Sequence, residues 1–74
     1  MMELPNFTRE NPRAWIRKGN KFFKINGVEE NMKFEIVELY LRDRADTWFH
    51  GVFSGRETIP WTELTTALCE RFGT

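Results

Sequence analysis

The stretch Ala45-Asp46-Thr47-Trp48-Phe49-His50-Gly51-Val52-Phe53 decides the fold. Ala45, Trp48, Phe49, Val52 and Phe53 recur at i, i+3, i+4, i+7 and i+8, the spacing of one buried face of an α-helix. Three large aromatics on so short a stripe need apolar partners on several sides. The flanking sequence offers them in segments that also read as helices.

Immediately upstream, Arg42-Asp43-Arg44 reads as a turn, with Asp43 as the cap of this helix and Asp46 as a second carboxylate at its positive end. Before the turn, Met32, Phe34, Ile36, Val37, Leu39, Tyr40 and Leu41 nearly encircle the axis of a helix over about 30–41. That pattern marks a central, buried helix. A strand over Ile36 to Leu41 is the competitor. The length of the apolar pattern and its glutamates favour helix.

Further upstream, Asn11-Pro12 opens a helix over about 12–24. Asn is a strong N-cap, and proline fits the first helical position, where its missing N–H costs nothing. Trp15, Ile16, Phe22 and Phe23 form its apolar face. Gly19 lies between them at a helix-propensity cost of about 1 kcal/mol relative to Ala, which points to close approach by another helix. Asn26-Gly27 stops the helix. Residues 1–10 carry no helical periodicity. Pro5 biases Leu4 towards an extended conformation, so Leu4-Pro5-Asn6-Phe7 is an extended arm that either docks through Leu4 and Phe7 or stays mobile.

Downstream, Ser54-Gly55-Arg56-Glu57-Thr58 is a loop by composition. Pro60 opens a fourth helix over 61–72, with Trp61, Leu64, Leu68 and Phe72 on one side and Gly73 as its C-terminal cap. The expectation is an all-α, compact bundle of four short helices, about 12–24, 30–41, 44–53 and 61–72, with an extended N-terminal arm. The domain division is an arm over 1–10 and a helical lobe over 11–74. The expected core is Trp15, Phe22, Phe23, Ile36, Val37, Tyr40, Leu41, Trp48, Phe49, Phe53, Leu64, Leu68 and Phe72.

Seventy-four residues make one small domain, which buries only about 60% of the surface its unfolded chain exposes. An aromatic content of 15% offsets that handicap, because Phe and Trp each bury about 150–250 Å². One cysteine, Cys69, and one histidine, His50, exclude an intrachain disulfide and a Cys/His zinc site. No apolar run approaches a membrane span and no signal peptide is recognisable. A cytoplasmic protein is expected. Lysines and arginines equal aspartates and glutamates at eleven each, which argues against nucleic-acid binding as the main role.

Nothing in the sequence assembles a nucleophile, a base and a group to orient them, so no catalytic residue, cofactor or metal site is expected. His50 reads as a solvated histidine and Cys69 as a packing residue. The one patterned polar feature is on the first helix. Arg13, Arg17, Lys21 and Lys24 fall within about 80° of arc, away from Trp15, Phe22 and Phe23. A solvated face is the plain reading. The functional one is a contact surface for phosphates or for acidic residues of a neighbouring copy, with Glu35 and Glu38 on the second helix as the acidic counterpart. The pairs Phe22-Phe23 and Trp48-Phe49 resemble a base-stacking platform, but each lies on a helical apolar stripe and is expected to pack.

Taken in order, these segments resemble the capsid-like Gag domain of long-terminal-repeat retrotransposons of the gypsy class, N-terminal lobe. The marks are Leu4-Pro5-Asn6-Phe7, Asn11-Pro12-Arg13-Ala14-Trp15, Lys21-Phe22-Phe23 before Gly27-Val28, Tyr40-Leu41 before Ala45 and Trp48-Phe49, Trp61-Thr62-Glu63-Leu64, and Leu68-Cys69-Glu70-Arg71-Phe72-Gly73. No single mark is specific; the ordered set covers the chain from about Leu4 to Gly73. The resemblance implies an all-helical lobe that self-associates with copies of itself or with other Gag lobes. It implies no catalytic residues, and RNA only indirectly through a zinc knuckle and second lobe that these residues do not contain; no membrane partner is expected, for want of an apolar span. A domesticated, Gag-derived adaptor that binds peptides or partner proteins in a hydrophobic groove is the alternative, and nucleic-acid binding through the basic helix face a weaker one. Two departures are local: Arg42-Asp43-Arg44 stands where the family often has glycine in the turn, and Pro60 where it often has a Ser or Thr cap.

Overall fold

A computed structural model of the chain describes residues 3–56 and 58–73. It contains α1 (Pro12–Ile25), α2 (Glu30–Glu38), α3 (Asp43–Phe53) and α4 (Trp61–Phe72). The four expected helices are therefore present in order, and the described residues form no strand beyond one isolated bridge. Met1, Met2, Glu57 and Thr74, which belong to the expected arm, loop and lobe, lie outside the described residues.

The ends of α1 follow from its sequence. The Asn11 side chain accepts a hydrogen bond from the Ala14 amide, and Pro12 occupies the first turn. At the other end Gly27 takes φ 60, a left-handed conformation that glycine adopts without penalty. The Val28 amide then reaches the Phe23 carbonyl at 3.0 Å and the Gly27 amide the Lys24 carbonyl at 3.4 Å. That pair of bonds closes the helix and turns Val28 back onto the core.

The second helix is shorter than its apolar pattern suggests. It stops at Glu38, because Leu39 and Tyr40 form a turn and Leu41 pairs with Phe7 of the arm. The Phe7 amide donates to the Tyr40 carbonyl at 2.8 Å, and the Arg42 amide donates to the Phe7 carbonyl at 2.9 Å. Nor is α2 buried all round. Phe34 and Val37 are buried, whereas Met32 and Leu39 are 42% and 67% exposed. Met32, Glu35 and Leu39 fall within about 60° of arc and form the outward stripe.

The turn into α3 also differs from expectation. Arg42 holds the N-cap position, its side chain makes no capping bond to α3, and Asp43, the first residue of α3, takes a left-handed φ of 55. Arg42 instead serves the helix behind it. Its Nη1 donates to the carbonyls of Leu39 at 2.6 Å and Leu41 at 2.9 Å, groups freed by the early end of α2. Val52, on the expected apolar stripe of α3, points outward at 54% exposure, since α3 buries only Ala45, Phe49 and Phe53 fully.

The arm docks. Leu4 and Phe7 are buried, and the Trp15 indole N–H donates to the Pro5 carbonyl at 2.7 Å. With Phe34, Ala45, Ile59 and Trp61, these two residues join the core around Leu64 and Leu68. Phe22, Ile36, Tyr40, Trp48 and Phe72 pack against its margin and are half-buried. Every aromatic side chain belongs to one contiguous network, from Tyr40 through Phe22, Phe23, Trp61, Trp15, Phe7, Phe72 and Trp48 to Phe53, Phe49 and Phe34. Edge-on and tilted aromatic pairs of this kind add about 0.5–1.5 kcal/mol each beyond area burial. The radius of gyration, 11.5 Å, matches the roughly 11 Å of a compact domain of this length, so the arm adds no extension.

Candidate interaction surface

Burial of one side of α1 settles where its cations go. Pro12, Trp15, Gly19 and Phe23 face inward. Arg13, Arg17, Lys21 and Lys24 are all exposed, and none forms an ion pair among the described residues. The four do not form one uniform patch. Arg17, Lys21 and Lys24 border a shallow depression together with Lys18 and Asn20. Arg13 lies one turn away with Ile16, across a groove from Thr65, Thr66, Cys69 and Glu70 of α4. Lys18 was not singled out by the sequence. Its place one residue after Arg17 and three before Lys21 is the signal that adds it to the cluster.

The acidic candidates diverge. Glu35 is exposed and has no ion pair among the described residues. The Glu38 carboxylate lies 3.9 Å from His50 Nε2 on α3, and Asp46 lies 3.2 Å from the same nitrogen. Glu38 is thus turned towards α3, and Glu35 is the freer acid, flanked by exposed Met32 and Leu39.

Glu30 is the charged residue whose role the sequence concealed. Its Oε2 accepts the Trp61 amide proton at 2.7 Å, and its Oε1 lies 3.2 Å from Lys33 Nζ. The first amide of α4, which Pro60 has no side chain to cap, is therefore capped from α2. The Trp61 amide, and after it the Lys33 ammonium, hold the Glu30 carboxyl below the usual range. Lys33 also sits 5.3 Å from the centroid of the Phe23 ring. Glu30 thus ties the start of α2 to the start of α4.

Among the described residues no cluster of three or more His, Cys, Asp or Glu is placed to hold a metal, and no helix is long and apolar enough to cross a membrane. What the surface offers is charge of one sign on α1, charge of the other on α2, and four scattered apolar side chains, Ile25, Met32, Leu39 and Val52.

No curated protein and no solved structure matches the chain. A family model does, over residues 1–73, and it describes the N-terminal capsid-like domain of the retrotransposon-derived protein PEG10. The arm, the four helices and the Trp15, Trp61 and Phe72 contacts described above all fall inside that match, and the chain belongs to this family of retrotransposon-derived, Gag capsid-like domains.

Proposed function

We propose that the chain is a structural assembly module that self-associates by setting the basic face of α1 in one copy against the acidic side of α2 in the next. Membership of a capsid-like family supports an assembly role. The observation that carries the contact is the segregation of unpaired charge, with Arg17, Lys18, Lys21 and Lys24 on one helix and Glu35 on another. Exposed ion pairs contribute little singly, about 0–1 kcal/mol, so the contact needs several together and weakens with salt. Fellow copies and other capsid-like lobes are the partners, RNA is engaged only through other segments, and the setting is the cytoplasm.

The test is sedimentation of the parent and of an Arg17→Glu/Lys21→Glu variant at low and high salt. The expected result is association of the parent that fades with salt and is absent from the variant. Association identical in both proteins at both salts would sink the reading. RNA capture that falls steeply with salt, without self-association, would instead assign the basic face to phosphates.

A further inference from the structure

We infer that the arm is exchangeable: two copies of this chain can each place Leu4–Phe7 in the other's arm site, forming an arm-swapped dimer.

Three observations carry it. First, every contact that holds the arm is made to the helical body, and an arm arriving from a second copy could make each of them. The Phe7 backbone pairs with the Tyr40 carbonyl and the Arg42 amide, the Pro5 carbonyl accepts from the Trp15 indole, and Leu4 and Phe7 fill the core. The pattern is addition of a short extended segment, in which backbone bonds hold the chain and two side chains, Leu4 and Phe7, enter the core. Second, the link between arm and body is thin. Thr8, Arg9, Glu10 and Asn11 are all exposed; Thr8 and Arg9 line a small depression with Asp43 and Arg44, and Arg9 forms no ion pair among the described residues.

Third, folding the arm back onto its own helix bends the link at one residue. Asn11 has φ 48 and ψ 65. Left-handed backbone is uncommon for a residue with a side chain, and the residue before a proline is biased towards extended conformations. An extended N-cap is the ordinary arrangement and still lets the side chain cap the helix. Opening Asn11 to an extended conformation therefore relieves the bend, keeps the cap on Ala14, and sends the arm away from its own body towards a neighbour's. Exchange of an identical element is a low-cost route to a dimer, since no new interface has to be built.

The inference shares with the assembly reading only the premise that copies meet; the charged faces play no part in it, so the two can fail separately. Equal amounts of ¹³C-labelled and unlabelled chain are unfolded together, refolded, and fractionated by size. Isotope-filtered NOEs between Phe7 and Leu41 of different copies in the dimer fraction are the expected result. Asn11→Thr keeps a capping hydroxyl but resists the left-handed conformation, and should enrich the dimer by about tenfold. Asn11→Gly accepts the bend and should deplete it by a similar factor. Both shifts should persist at high salt and in the Arg17→Glu/Lys21→Glu background. A dimer whose Phe7–Leu41 NOEs are all within one copy, or a dimer fraction unmoved by both Asn11 substitutions, would overturn exchange. A dimer that salt or the charge reversal removes, with arms in place on their own bodies, would overturn it while leaving the charged-face reading intact.

Discussion

The Trp61 indole packs against Gly19, so close that a β-carbon on that glycine would stand 3.3 Å from Cζ2 and 3.4 Å from Cη2. This close approach of α4 to α1 accounts for a glycine in the middle of a helix. The indole cannot slide aside easily. Its Nε1 donates to the Asn20 side chain at 2.6 Å, and Phe23 and Trp15 pack on it with centroids at 4.9 and 6.2 Å. Gly19→Ala should gain about 1 kcal/mol of helix propensity and lose more by overpacking, which costs about 1–3 kcal/mol. The expected net result is a lower urea midpoint at unchanged slope, followed by tryptophan fluorescence. A midpoint above the parent's would mean that the ring has room to shift.

Trp48 and Phe49 are neighbours in sequence with different duties. Phe49 is buried between Phe34 and Phe53, at 5.0 and 5.4 Å. Trp48 is half-buried at the rim, edge-on to Phe53 and Phe72 at 5.7 and 5.4 Å. Phe49→Ala should cost about 3–5 kcal/mol, enough to threaten folding in a domain this small. Trp48→Ala removes less buried surface and should cost roughly 2 kcal/mol. Thermal melts that rank the two in the opposite order would show Trp48 to be the deeper anchor.

The helices were legible because the signals that make them are local. Asn11-Pro12, Asn26-Gly27, the stripe of α3 and Trp61-Leu64-Leu68 each state their structure within a turn or two. The chain was not legible where a distant group decides. Leu39 to Leu41 carry a helical pattern, yet Phe7, more than thirty positions earlier, takes their backbone into a bridge, and no periodicity encodes that. Pro60 reads as a poorly capped start, and the cap comes from Glu30 on another helix. The candidate surface divides in the same way. The cations of α1 follow from its period. That Glu38 turns towards His50 while Glu35 stays free depends on how α2 lies against α3, which neither segment specifies alone.

The bond from the Trp15 indole to the Pro5 carbonyl makes the arm's docking testable without removing any apolar side chain. Trp15→Phe keeps most of the ring but no donor, leaving the exposed Pro5 to water. A net loss of about 1 kcal/mol is expected, and it should fall on the arm rather than on the whole fold. Hydrogen exchange should show the Phe7 and Arg42 amides, which pair across the arm at 2.8 and 2.9 Å, losing protection, while the amides of α4 keep theirs. Equal loss in both would show that arm and bundle open as one unit.

Glu30 gives the fold a defined response to acid. Its carboxyl is held below its ordinary range by the Trp61 amide first and the Lys33 ammonium second, so it binds its proton less readily in the folded chain than in the unfolded one. The stabilisation is therefore complete above the ordinary carboxylate value, about 4.3, and drains away as pH falls through the lower folded value. The carboxylate is exposed, and solvent screening keeps the effect modest. Glu30→Gln retains an oxygen for the Trp61 amide but carries no charge, much like the protonated acid. It should be less stable than the parent at pH 7, with the gap narrowed at an acid pH below the ordinary carboxylate value. Glu30→Ala removes the cap altogether and should remain below both at either pH, by up to about 1 kcal/mol. Urea midpoints at the two pH values check this: a gap between parent and Glu30→Gln that stays constant would place the acid response of the domain elsewhere.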